Sequence, residues 1–196
     1  MQFDPILLIV SVLLLWPPGY LFFSGTMHSR IQDAQGSNGL RLGRIFSTWQ
    51  NWFDGVRGYL GAHLLYAHTF PLERDLGDAY YYELGALGVV LVMAVLVQVL
   101  YYRHHLYAVA PLFFLVGVAS AVFAWWIVLH GVIAGLVLGR LANTSEAFLM
   151  ITAVVVGAFG YLVYGIRIEL LLVSALLVLP VAIAFAAQES LLAPHR

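Results

Sequence analysis

The stretch AWWIVLHGVIAGLVLGRL, residues 124–141, is apolar enough for a lipid bilayer yet carries one histidine, His130. A neutral imidazole in such a place can serve in three ways. It can ligate a cofactor: a chlorophyll-type pigment needs one axial nitrogen, and a haem one or two. It can act as a base. It can also hydrogen-bond a neighbouring helix and pack beside Trp126, one turn earlier. Two-histidine haem ligation needs a second histidine at the same depth. His104 and His105 fall at the end of another apolar segment, and His63 in a separate polar-faced helix. Packing is therefore the expected role, with a haem or chlorophyll-type pigment on His130 as the cofactor alternative.

The segments GVASAVF and HGVIAG resemble short pieces of the rhomboid intramembrane proteases, which pair a serine with a histidine. The resemblance covers only these few residues and implies Ser120 as nucleophile and His130 as base. Ten residues apart on one predicted helix, the two are separated by about 15 Å along the axis. A nucleophile must touch its base, so the pairing fails. Gln98 is the other deep polar side chain, and the predicted spans hold no carboxylate away from their ends. A proton- or sodium-coupled carrier usually places one there. A small transporter or channel lined by Gln98 and His130 stays as a third alternative. His63 and His68 are five apart, off the i, i+4 register of a helical metal site. The chain has no cysteine, which excludes disulfides, thiolate metal sites and a thiol nucleophile.

Glycines frame the histidine. Gly131, Gly135 and Gly139 make two overlapping small-xxx-small units, which let helix backbones approach closely in lipid. Gly117 and Ala124 continue the pattern at seven-residue spacing. The five are expected to form one packing face, with Gly157 and Gly160 as a matching surface on the next span.

The elements that carry these residues follow from hydropathy. Of the 196 residues 62% are hydrophobic and 10% charged, against about 25% charged in a soluble domain. The mean hydropathy is +0.91. A spanning helix needs about 20 apolar residues. About five segments qualify, at 5–23, 84–102, 111–141, 146–164 and 169–187. Asp4 and Pro5 suit the start of the first span, and WPPG at 16–19 should kink it. The third, at about 46 Å as one helix, exceeds a hydrocarbon core of about 30 Å, so it must tilt, protrude or break. Ser145 is the expected N-cap of the fourth.

Region 25–83 holds the one sizeable non-spanning stretch. In it Ile45, Trp49, Trp52, Val56, Tyr59 and His63 recur at helical spacing, while Thr48, Asn51, Asp54 and Arg57 fall on another face. This predicts an amphipathic helix in the interface plane, with Trp49, Trp52, Phe53 and Tyr59 at headgroup level, or equally a helix that packs the same apolar face on a partner protein. Gly55, Gly58 and Gly61 within it call for a close neighbour or a break.

The expected fold is thus all-α and integral to the membrane: a single polytopic domain over 1–196, with about five transmembrane helices plus one interfacial amphipathic helix. The start MQFDP lacks the basic region of a signal peptide, so the first span is expected to be retained. All nine basic residues are arginine. Arg30, Arg41, Arg44, Arg57, Arg74, Arg140 and Arg196 fall on one side of a five-span chain, and Arg103 and Arg167 on the other. That bias predicts a bacterial inner membrane, with the N-terminus outside and the C-terminus cytoplasmic. A net charge of −1 offers no basic surface for nucleic acid. The expected partners are membrane lipid and either other membrane subunits or further copies of the chain. The expected role is a non-catalytic accessory or scaffolding subunit of a larger membrane complex.

Overall fold

The computed structural model describes residues 4–17, 46, 49–70, 77–101, 107–109, 111–142, 144–188 and 190–192. Seven α-helices lie within them: α1 (Pro5–Leu15), α2 (Trp49–Leu64), α3 (Asp78–Tyr101), α4 (Leu112–Val122), α5 (Trp125–Ala142), α6 (Ser145–Tyr164) and α7 (Ile168–Ala187). A π-helical turn, Leu65–Thr69, prolongs α2. Strands β1 (Tyr107–Val109) and β2 (Ser190–Leu192) pair in parallel, with Tyr107 opposite Ser190 and Val109 opposite Leu192.

Among the described residues, α3, α6 and α7 are long and apolar enough to cross a membrane. Helices α1 and α4 are short, at 11 residues each. The Asp4 carboxylate caps α1, accepting from the Ile6 and Leu7 amides at 2.9 and 3.3 Å. Ahead of Pro17, Trp16 is extended at ψ 144°, as a residue before proline prefers. The first apolar segment therefore ends its helix at Leu15 rather than kinking, and 18–23 lie outside the described residues. Span two starts earlier than hydropathy suggests. Helix α3 begins at Asp78 and takes in Glu83, a buried carboxylate. At the start of α6 the capping hydroxyl belongs to Thr144, which accepts from the Ala147 amide at 3.2 Å; Ser145, the expected cap, is buried one residue further on.

The segment 111–141 is two helices. Phe123 is extended at φ −114° and ψ 161°, and Trp125 starts α5. Neither proline nor glycine marks this break. The Phe123 ring is in the core instead, 6.1 Å from the ring of Tyr164. Leu112, Val116 and Ser120 of α4 and Trp125, Leu129 and Leu136 of α5 line one apolar groove of 310 Å³, so the chain folds back at the break.

Close contacts give the helix directions. Gly131 meets Thr152 and Val156, and Gly139 meets Phe148, so α5 and α6 are antiparallel. The tight turn at Gly165, which needs φ +72°, reverses α6 into α7. Gly88 meets Leu172, and both α3 and α7 lead into the parallel strand pair, so these two run in the same sense. Helix α2 follows α4 in register: Gly55 meets Phe113, Gly58 meets Phe114, and Tyr66 shares a cavity with Val122. The core fills the space between, with Leu87, Leu91, Val95 and Val99 forming the inward stripe of α3 at four-residue spacing.

Candidate functional site

The most concentrated buried polar chemistry lies where α1 stops. A helix end leaves its last carbonyls without partners in the helix, and in an apolar setting each must find a donor. Two other helices supply them. The Arg57 guanidinium of α2 donates through Nη1 to the Leu14 carbonyl at 3.0 Å and to the Trp16 carbonyl. Gln98 of α3 donates through Nε2 to the Leu15 carbonyl at 2.9 Å. Arg57 Nη2 also pairs with the Asp54 carboxylate at 3.1 Å, three residues earlier on the same helix. Its guanidinium lies 5.1 Å from the centre of the Phe114 ring. Arg57 is 5% exposed and Gln98 1%. Positive charge at a helix C-terminus is favourable, because the carbonyl end carries partial negative charge.

This arrangement buries the polar face of the amphipathic helix. An interfacial helix keeps its polar face in water. In α2, Asn51 and Arg57 are buried and Asp54 half-buried, while Trp49, Trp52, Phe53, Val56, Tyr59 and Leu60 are exposed. The polar face points into the bundle and the aromatic face points out. Glycines make the inward face thin. A Cβ on Gly58 would stand 2.6 Å from the Phe114 carbonyl oxygen, and one on Gly61 2.8 Å from Leu15 Cγ. The close neighbour required by the three glycines is thus α4 for the first two and α1 for the third.

The expected single glycine face is divided. Gly131, Gly135 and Gly139 lie along α6 at Phe148, Thr152 and Val156. Gly117 lies instead against the backbone of Gly55 and Tyr59 of α2. Ala124 sits at the α4–α5 break. Gly157 and Gly160 face Ser174 and Leu170 of α7, so they are no counterpart to the α5 glycines. The break rotates α5 relative to α4, which removes the register that one continuous helix would have kept.

His130 lies on the exposed side of α5. Its Nδ1 is 2.7 Å from the Trp126 carbonyl oxygen, which can only accept, so Nδ1 donates in this contact. The ring stacks on Phe159 at 5.5 Å and meets the edge of Trp126 at 6.2 Å. Gln98 faces inward and His130 outward, so the structure does not bring the two together. Ser120 is on α4 and donates to the Val116 carbonyl at 2.8 Å, on a different helix from His130. His63 stacks on Tyr59 at 5.6 Å, with His68 6.1 Å away. No group of three or more metal-ligating side chains occurs among the described residues. His104 and His105 lie outside them.

Arg57, which the sequence reading counted only toward orientation, is buried against the end of α1. The signal was present: an aspartate three residues before an arginine, on the same helix face as an asparagine. What it lacked was the position of α1. The chain matches no protein-family model, no curated protein and no solved structure.

Proposed function

We propose that the protein is an integral-membrane accessory or scaffolding subunit of a larger membrane complex, without catalysis of its own. The observation that supports this most directly is the use made of the buried polar groups. Arg57, Asp54 and Gln98 are, with the buried carboxylates Glu83 and Glu169, of the kind a carrier would place along a path. Arg57, Asp54 and Gln98 are committed to the end of α1, where they fix one helix against two others. The outward face of α2 carries Trp49, Trp52, Phe53 and Tyr59, residue types favoured in interface cores. That face is where a neighbouring subunit docks in this reading.

The same reading places the protein in a bacterial inner membrane with its C-terminus in the cytoplasm. Arg103, Arg140 and Arg196 flank in sequence the far ends of α3, α5 and α7, against Arg74 ahead of α3 and Arg167 at the α6–α7 turn; because 111–141 is two helices, Arg103 falls with Arg140 and Arg196 and not, as expected, with Arg167. The bias toward that far end makes it the cytoplasmic side. Extraction from native membranes in a mild detergent is expected to release the chain with stoichiometric partners. Photo-crosslinkers at Trp52 and Val56 should capture the same partners. Migration as a single chain near its own mass, with no crosslinked product, would sink the reading.

A second reading rests on His130. A neutral imidazole with Nδ1 engaged by backbone presents Nε2 as a ligand, and the exposed ring leaves room for a planar pigment or haem. The purified protein would then absorb visible light, and His130→Leu would abolish the band while leaving the helix content unchanged. A colourless native extract excludes this alternative.

A further inference from the structure

A second polar feature lies at the α6–α7 turn and takes no part in holding α1. There a cavity of 150 Å³ opens between Tyr66 of the π-helical turn, Phe123 and Ala124 at the α4–α5 break, and Tyr164, Arg167 and Glu169 around the turn. A single water needs only about 10–15 Å³ of such space. The depth of this cavity in a bilayer is marked by aromatic residues on three helices. Tyr80, Tyr81 and Tyr82 stand in the first turns of α3, Trp125 and Trp126 begin α5, and Tyr161 and Tyr164 end α6. Tyrosine and tryptophan gather at the level of lipid headgroups.

Arg167 is held there by its inner half. Its Nε donates to the Tyr164 carbonyl at 3.3 Å, and its guanidinium carbon lies 4.6 Å from the centre of the Tyr164 ring. Both contacts fix the plane of the group. Neither uses the two terminal nitrogens, and no carboxylate among the described residues forms an ion pair with them. Glu169 lines the same cavity while only 5% exposed. The cavity is therefore lined by both a guanidinium and a buried carboxylate. A guanidinium fork fits the oxygens of a phosphate, and a carboxylate accepts from an ammonium or hydroxyl. Helix α7 also starts here without a side-chain cap, so its first amides favour an anion as well.

We infer that this cavity seats the headgroup of a phospholipid that carries a donor beyond its phosphate, such as phosphoethanolamine or phosphoglycerol, with the phosphate on Arg167 and the donor on Glu169. Free phosphate shares half of this chemistry, and the two sources separate by experiment. The full-length protein is purified in detergent, stripped of lipid and examined by native mass spectrometry with one added ligand at a time. The ligands are phosphatidylethanolamine, phosphatidylglycerol, phosphatidic acid and diacylglycerol of the same chains, with sodium phosphate as competitor. The wild type is expected to retain phosphatidylethanolamine or phosphatidylglycerol about ten-fold or more over diacylglycerol. Arg167→Gln should fall to the diacylglycerol level, and Arg167→Lys should recover part of the difference. Glu169→Gln should narrow the preference for phosphatidylethanolamine over phosphatidic acid, which lacks the amine. The lipid-free thermal transitions of the variants check that each still folds. Equal retention of diacylglycerol by the wild type overturns the proposal, as does undiminished phospholipid retention by a folded Arg167→Gln. Displacement of the lipid by millimolar phosphate assigns the cavity to the free anion and overturns the headgroup.

Discussion

Arg57→Met is expected to destabilise the bundle by about 3–5 kcal/mol, the range for removing one partner of a buried ion pair. Methionine fills much of the same volume, so the loss is of charge and hydrogen bonds rather than of packing. The guanidinium contacts the carbonyls of Leu14 and Trp16 and the carboxylate of Asp54 together. Without it, two carbonyls at the end of α1 lose a donor, and a carboxylate that is 19% exposed loses its cation. In an apolar setting water compensates these losses only in part. Reversible unfolding in mixed micelles, followed by circular dichroism, reads the loss. Asp54→Asn in the Arg57→Met background should recover part of it, because the uncompensated charge is then gone. A double-mutant cycle isolates that coupling. A change in Arg57→Met of less than about 1 kcal/mol, the upper end for a solvent-exposed ion pair, would show that water reaches the end of α1.

Gly117→Ala is the second large effect. A Cβ there would overlap the Gly55 carbonyl oxygen and would stand 2.9 Å from the Tyr59 amide nitrogen and 3.0 Å from the Gly55 carbonyl carbon. All three are backbone atoms, so no rotamer change relieves the contact and α2 must move away from α4. The cost is expected at or above the upper end of the range of about 1–3 kcal/mol typical of overpacked cores. Gly85 is the control. It lies in α3, and a methyl added there would meet no atom within 4 Å. Gly85→Ala should therefore stabilise the helix by up to about 1 kcal/mol, the propensity difference between the two residues. Thermal transitions of the two variants should move in opposite directions. Equal shifts would mean that α2 and α4 are not in the contact described.

The outward movement of α2 in Gly117→Ala would also disturb the site at α1, since Gly58 and Arg57 are adjacent on that helix. Arg57 and Gly117 therefore act on one assembly from two sides, and their effects should not add.

The apolar segments of α3, α6 and α7 were legible in the sequence, because a bilayer-length run of apolar residues has few alternative uses. So was the start of α1, where Asp4 and Pro5 carry cap and first-turn signals in adjacent residues. The break in 111–141 was not. Phe123 and Ala124 carry no proline- or glycine-like signal for a break, and the helix stops where the Phe123 ring reaches the core beside Tyr164. Only the excess length of the segment hinted at it. The glycine pattern showed where helices touch but not which helices. Spacing along one chain cannot name a partner, and the break sent Gly117 to α2 and Gly131 to α6.

The amphipathic helix separates the two kinds of information most clearly. Periodicity placed Asn51, Asp54 and Arg57 on one face and Trp49, Trp52 and Val56 on the other, and the structure keeps that division. It could not tell which face meets the protein, because a polar face is satisfied equally by water or by the open end of another helix. The carbonyls of Leu14, Leu15 and Trp16 decide the matter by needing donors in an apolar place. The sequence alone determined the apolar segments and the two faces of α2. Tertiary structure decided which way those faces point, since a hydrogen bond between residues 57 and 14 depends on a distance that no local pattern encodes.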